Sequence, residues 1–344
     1  MTKNLRPELR FGLWYDFRNP PRWRRPYDRI YEEILEQIAW AEQIGFDDVW
    51  LSEHHFLEDG YSPSLLPIAS AIAARTKKIR IATGIALLPF YNPIRLAEDG
   101  ATVDVISSGR FELGVAVGYR VDEFEGFAIP IREKGGRTDE ALEIITRLWD
   151  GETLTFKGKY FELNNVKISP EPIQKPRPPI WIGGFVPASV RRTVKYGDGF
   201  VGGGGPIEGI YKQYVDELKK AGKPTDSLRI ADGIPWLIVS DDPEKTWNEA
   251  ADHVIYQVNR YEEWFRKAGL SADVYEHITD REQLRKSGRL NVVDVDTCIK
   301  MIENHLKKAP LTHFLSFTIP PGLPAKWAEP HLELFAAKVI PAFR

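Results

Sequence analysis

An alternation repeated along the whole chain constrains its fold most: a short apolar run, a polar or glycine-bearing link, then a segment with apolar residues every three or four positions. Residues 11–15 read as a strand. After the Pro-rich loop 16–26, residues 27–44 read as a helix, with Ile30, Ile34, Ile38 and Ala41 on one face and Gly45 as its stop. A strand at 48–51 follows a very short link, so the two strands are parallel neighbours joined by a helical crossover. The cycle predicts further strands at 79–88, 111–117, 179–183, 199–201, 228–239 and 312–318. Helices are predicted at 64–76, 93–107, 137–149, 187–196, 209–221, 242–267, 293–307 and 324–340. Gly233 and Pro235 predict a bulge or early end in the seventh strand. A hairpin at 153–163 around Gly158 stands outside the alternation. So does the charged stretch 269–290, expected to be an insertion that covers the barrel mouth or meets a neighbouring subunit. The pattern specifies an α/β chain: one (β/α)8 TIM barrel over residues 1–344, with insertions at its C-terminal face, ahead of a doubly wound sheet.

Composition narrows what such a barrel can do. Hydrophobic content of 43% and charged content of 28% are ordinary for a globular enzyme, and a formal charge of −3 gives no cationic field to attract nucleic acid. The single cysteine, Cys298, can build neither a disulfide nor a thiolate metal cluster within the chain. No apolar run approaches the ~20 residues that cross a bilayer, and the basic start lacks a signal peptide's apolar segment, so no membrane association and a cytoplasmic location are expected.

In such barrels the loops after the strands' C-terminal ends build the site. Tyr15 ends the first strand, Glu53, His54 and His55 follow the second, and Gly84 with Ile85 lies within or after the third. Gly118, Tyr119 and Glu123 follow the fourth, while Gly183, Gly184, Phe185 and Val186 lead from the fifth into a helix that carries Ser189. Imidazole suits proton handling near neutral pH. Paired glycines before the exposed amides of a helix start, with the Ser189 hydroxyl, suit a phosphate. Each residue also has a plain structural reading: the histidines can cap a strand, the glycines can serve only turns, and Ser189 can face solvent. His54 and His55 are adjacent, so they point to opposite sides of an extended chain and do not chelate together; no metal is expected. Tyr15, Phe90 and Trp236 suit an apolar substrate pocket, or equally the core.

Several stretches resemble, in order and spacing, the bacterial luciferase-like family of flavin-dependent monooxygenases. They are Glu53-His54-His55-Phe56, IATGIALLP at 81–89, NPIRLAE at 92–98, SGRFELG at 108–114, Gly118-Tyr119 with Glu123-Phe124, and Ile182-Gly183-Gly184 leading to Gly197-Asp198-Gly199. The resemblance implies reduced FMN across the barrel mouth, its phosphate near Gly184, Val186 and Ser189, with Gly183 and Phe185 also in contact with the cofactor, and its ring over Gly84-Ile85, where a non-prolyl cis peptide bond is expected. It implies His54 as the catalytic residue, Glu53 as the group that orients it or the flavin, and Tyr119, Glu123 and Arg137 as further cofactor contacts. His55 is left to packing. Bacterial luciferase has a reactive cysteine and a phosphate-binding arginine where this chain has Ala116-Val117, so light emission from long aldehydes is not expected.

The leading reading is a monooxygenase that takes reduced FMN from a separate NAD(P)H:flavin reductase and uses O2 on a small, mainly apolar organic substrate. A deazaflavin-dependent dehydrogenase or reductase on the same barrel is the alternative. A non-enzymatic flavin-binding subunit ranks third, because His54 is retained. The family's dimer surface matches helices 64–76 and 93–107, which implies a homodimer or a dimer of dimers.

Overall fold

The structure, a computed structural model, describes residues 8–203, 207–270 and 276–344. Its strands are β1 (Arg10–Tyr15), β2 (Asp48–Leu51), β3 (Arg80–Thr83), β4 (Ala86–Leu87), β5 (Phe111–Ala116), β6 (Leu154–Lys157), β7 (Glu162–Val166), β8 (Ile180–Gly183), β9 (Gly199–Val201), β10 (Ile230–Gly233), β11 (Leu237–Val239), β12 (Asn291–Val293) and β13 (His313–Phe317). Eight of them pair in parallel around a ring: β1, β2, β3, β5, β8, β9, β10, β13 and back to β1. In the closing pair Arg10 lies opposite His313 and Trp14 opposite Phe317. The fold is therefore the (β/α)8 barrel expected from the alternation. No helix among the described residues is long and apolar enough to cross a membrane.

Residue parity along each strand decides which side chains fill the barrel and which meet the helices. Trp50 and Trp181 fill the interior with Ala82, Val201, Ala231 and Leu315, their rings 5.3 Å apart and edge to face. Two indoles fit only because their neighbours are small. A Cβ on Gly199 would lie 2.3 Å from Trp181, and one on Gly12 would lie 2.6 Å from Leu315 and 3.0 Å from Trp50. Below them, at the strands' N-terminal ends, Arg10 pairs with Asp48 at 2.9 Å and Arg80 pairs with Glu112. This charged layer lies at the end opposite the loops that carry the expected site residues.

Three elements depart from the sequence reading. The third strand breaks at Gly84, and the Gly84–Ile85 peptide is cis, as the resemblance implied. The seventh strand splits: β10 ends at Gly233, Pro235 has no N–H for a ladder, and β11 leaves the barrel to pair in parallel with β12. Residue 293, expected to open a helix, therefore lies in a strand. The helix Val295–Leu306 starts two residues on, with the Asp294 carboxylate capping the Thr297 N–H at 2.8 Å. Within 269–290, residues 271–275 lie outside the described residues. The remainder carries the helix Arg281–Ser287, and Ile278, Leu284 and Leu290 pack with Trp236, Trp247 and Val254 into a second apolar cluster beside the barrel. The hairpin is present as antiparallel β6 and β7.

The helix Pro243–Lys267 positions the site most. Asp242 caps it, Trp247, Ala251, Val254 and Val258 form its buried face, and its 25 residues span about 37 Å at 1.5 Å per residue. Its last turns lie over the mouth, where Trp264 meets His54 at 4.8 Å between ring centroids.

Candidate active site

Past Leu51 the chain continues as residues 52–56 across the mouth, with Glu53, His54 and His55 all buried. The two histidines find different acids. His54 Nδ1 lies 2.9 Å from Glu123 Oε1, whereas His55 Nε2 lies 2.6 Å from Glu53 Oε1. Glu53 also accepts from the Tyr91 hydroxyl at 2.6 Å. Of the two roles expected for Glu53, orienting His54 or the flavin, the first is corrected: Glu53 holds His55 and Tyr91, and Glu123 holds His54. Glu123 reaches across because residues 118–126, read from the sequence as a loop, contain the short helix Val121–Gly126.

The protonation of this pair follows from its hydrogen bonds. Glu123 Oε1 also accepts from the His55 backbone N–H at 2.8 Å and from Arg120 Nη1 at 3.0 Å. Burial alone would push the Glu123 carboxyl up, but its bonds to His54, Arg120 and the His55 N–H outweigh burial and hold it below the usual carboxylate range. An ionised carboxylate only accepts, so His54 Nδ1 carries a proton. Nε2 is left facing the Tyr119 hydroxyl at 3.5 Å. His54 is 6% exposed, enclosed by Tyr61 at 4.8 Å, Tyr119 at 5.7 Å and Trp264 at 4.8 Å between ring centroids.

The other expected residues separate into those at the mouth and those elsewhere. Gly84 and Ile85 form the bulge after β3, and the Gly84 carbonyl accepts from Trp14 Nε1 at 2.7 Å. Gly183 ends β8, and Gly184 takes a φ of +146° that leaves no room for a side chain, since a Cβ there would meet Ser189 Cβ at 2.9 Å. Ser189 gives both its N–H and its O–H to the Val186 carbonyl, at 2.9 and 2.6 Å. It therefore shapes this turn, whose exposed face is Phe185 and Val186, each about half exposed. Arg137 lies elsewhere: its guanidinium sits over Phe161 at 5.2 Å and Tyr160 at 5.8 Å, with Glu133 Oε2 3.8 Å away. The hairpin, one layer out, claims it.

Of the three aromatics assigned to a substrate pocket, Tyr15 faces away from the mouth, where its hydroxyl donates to Gln37 Oε1 at 3.0 Å. Strand parity explains this, because Trp14 is the inward residue. Trp236 is buried, stacked on Phe317 at 5.3 Å, which stacks in turn on Trp14 at 5.1 Å. Its Nε1 donates to Gln257 Oε1 at 2.6 Å. Phe90 stacks on Phe127 at 4.6 Å behind His55, as backing for the histidine.

A buried group beside His54 escaped the sequence reading altogether. Arg18 and Asp59 pair at 2.7 Å, and the Arg18 guanidinium lies over Tyr61 and Tyr256, 5.2 Å from each ring. Tyr256 in turn donates to Asp59 at 2.9 Å, and the hydroxyls of Tyr61 and Tyr261 lie 2.9 Å apart. The end of helix Pro243–Lys267 is pinned to the loops after β1 and β2 through these contacts. Arg120 alone had a readable signal, three residues before Glu123 on one helical face.

Residues 9–298 match the family profile described as luciferase-like monooxygenase. The chain belongs to that family. Among curated relatives of this luciferase-like chain is the oxygenase component of the flavin-dependent trigonelline monooxygenase of Acinetobacter baylyi, 31% identical over 171 residues. An F420-dependent glucose-6-phosphate dehydrogenase of Microbacterium testaceum is 34% identical over 207 residues. The matches cover 49% and 57% of this chain, and the chain spans only about half the length of these curated relatives, 47% and 61% respectively. Among solved structures, the monooxygenase RslO1 of Streptomyces bottropensis superposes with a TM-score of 0.82 at 25% identity, covering 98% of this chain and 100% of that one. Relatives of this luciferase-like barrel thus include both flavin-dependent oxygenases and deazaflavin-dependent dehydrogenases.

Proposed function

We propose that the protein is the oxygenase component of a two-component flavin monooxygenase. It takes reduced FMN from a separate NAD(P)H:flavin reductase and uses O2 to oxygenate a small, mainly apolar organic substrate. The observation that carries this reading is His54, buried at the barrel mouth with its Nδ1 proton fixed by Glu123 and Nε2 left facing the Tyr119 hydroxyl. Such a ring can exchange a proton at Nε2 while Nδ1 stays donated, the arrangement general acid–base chemistry requires.

The residues present fit a flavin. Gly184 lets the backbone approach closely, the amides of Phe185, Val186 and Ala188 lie at the start of helix Pro187–Tyr196 where a phosphate is favoured, and the Gly84–Ile85 bulge is held beside Trp14 by the bond from Trp14 Nε1 to the Gly84 carbonyl. When bound, reduced flavin supplies the electrons that activate O2. The protein's own part is to bind and orient: Glu123 and Arg120 fix His54, while Tyr61 and Tyr119 exclude water from its ring.

His54→Ala is expected to lower oxygen-dependent product formation, assayed with a generic flavin reductase, by roughly 10²–10⁴-fold while leaving FMN affinity unchanged. Unchanged turnover would end the assignment. A deazaflavin-dependent dehydrogenase is the second reading, favoured by four F420-dependent glucose-6-phosphate dehydrogenases at 32–35% identity. Titrating the protein with each reduced cofactor decides between them, since tight deazaflavin binding with no response to reduced FMN would transfer the assignment. The same reading includes a homodimer, formed through helices Leu65–Arg75 and Pro93–Ile106, the second of which exposes Val105 and Ile106 at its end.

A further inference from the structure

Three guanidiniums converge on one indole at the mouth. Arg120, Arg18 and Arg260 lie 4.8, 5.5 and 6.0 Å from the Trp264 ring, and His54 lies 4.8 Å from it on a side shared with Tyr61. Trp264 is 3% exposed, so it fills the space above His54. A single cation over a tryptophan is ordinary. Here each cation also keeps a buried N–H without a hydrogen-bond partner among the described residues: Arg18 Nη1, Arg120 Nε and Arg260 Nε. The first two belong to side chains that are 0% and 2% exposed. Each cation already has a carboxylate of its own, Asp59 for Arg18, Glu123 for Arg120 and Glu263 for Arg260. The surplus is therefore one of hydrogen-bond donors more than of net charge.

Buried donors without acceptor atoms are rare and costly, and the indole face offers them a weak π contact in place of an acceptor oxygen. The group that completes this shell is flat, to fit between cations and His54, and carries acceptor oxygens. A charged oxygen suits guanidinium best, because charge-assisted bonds are about twice as strong as neutral ones. We propose that the substrate is an aromatic carboxylic acid, its ring taking the place of Trp264 beside His54 and its carboxylate received by Arg18. In the free protein the Trp264 indole holds that place, and the end of helix Pro243–Lys267 moves aside when the acid binds. The proposal rests on the reading of the His54 site as the reaction centre and adds the class of substrate.

The test is binding without turnover. Benzoate and nicotinate, with benzamide and nicotinamide as neutral matches, are titrated calorimetrically into flavin-free protein and into Trp264→Ala and Trp264→Phe. The acids are expected to bind at least tenfold more tightly than the amides, and both Trp264 variants to bind benzoate about tenfold more tightly than the parent. Adding Arg18→Gln to a Trp264 variant should remove that gain. Arg18→Lys, which keeps the charge but loses the fork, should also lose most of it and covers the case in which Arg18→Gln does not fold. Equal binding of acid and amide, no binding of either acid, or affinities indifferent to Trp264 or to both Arg18 variants overturns the proposal. No flavin takes part, so a failed titration alongside an inactive His54→Ala enzyme would remove the aromatic acid and leave the oxygenase reading standing.

Discussion

A carboxylate oxygen that accepts three hydrogen bonds leaves its donors little freedom, and Glu123 imposes this on His54, the His55 backbone and Arg120. In Glu123→Gln the amide can donate as well as accept, so His54 can turn to the wrong tautomer and Arg120 loses its buried counter-ion. The expected outcome is a fall in turnover of at least about 100-fold, together with a stability loss of about 1–3 kcal/mol, read from kcat and urea melts. A second residue gives the molecule a pH dependence. Burial pushes the Asp16 carboxyl up to about 6, with Arg18 opposing and Asp59 adding to the rise. Between its unfolded value near 4 and about 6, the folded state binds more protons than the unfolded one. Asp16 therefore favours folding at the acid end of that window, and its contribution is lost as pH rises, by about 3 kcal/mol at most. Asp16→Asn should flatten the stability profile between pH 4 and 6 in denaturant melts. His54 was legible in the sequence because two histidines after an apolar run mark a strand end. Its partner was not, because adjacency favoured Glu53 while the hydrogen bond goes to an acid 69 positions away. Tyr15 was misassigned although parity alone, with Trp14 inward, places it on the outer face.

Helix Pro243–Lys267 shows how one element ties the wall to the mouth. Gln257 accepts from Trp236 Nε1 and donates to Asp16 at 3.3 Å, and Trp236 continues through Phe317 and Trp14 to the Gly84 carbonyl. Gln257→Leu removes both bonds, leaving the buried Trp236 N–H without its acceptor and the Asp16 carboxylate with only the Arg18 N–H among the described residues. A stability loss of about 1–3 kcal/mol is expected, with faster amide hydrogen exchange over residues 256–267 than over the barrel strands. The helix was readable from its cap and apolar face, and its length fitted the sequence reading. Its destination was not readable: Trp264, Arg260 and Tyr261 look like an ordinary mixed helix surface until Arg18 and Asp59, far away in sequence, are placed beneath them. The exit of β11 was half announced by Gly233 and Pro235, but its partner β12 lies some fifty residues on, and no periodicity signals a pairing at that distance.

At the scale of the molecule, the alternation carried the barrel because parallel strands with helical crossovers leave few other ways to close eight strands. The expected homodimer is tested at this scale. Replacing both Val105 and Ile106 by glutamate puts charges on the exposed end of helix Pro93–Ile106, and light scattering after size-exclusion chromatography should then report the monomer's 39.3 kDa. A parent protein that is already monomeric would end that expectation. The pairing of β1 with β13 has a consequence for synthesis. Arg10 meets His313, so the first barrel strand to leave the ribosome is paired on one side only until the last one has emerged. Through that interval the nascent chain is an open sheet with unpaired N–H and C=O groups along β1 and β10, a template for pairing with other chains. Closure is then one late, long-range event. Yield in the cell should depend more on what shields those two edges during translation than on the stability of the finished barrel.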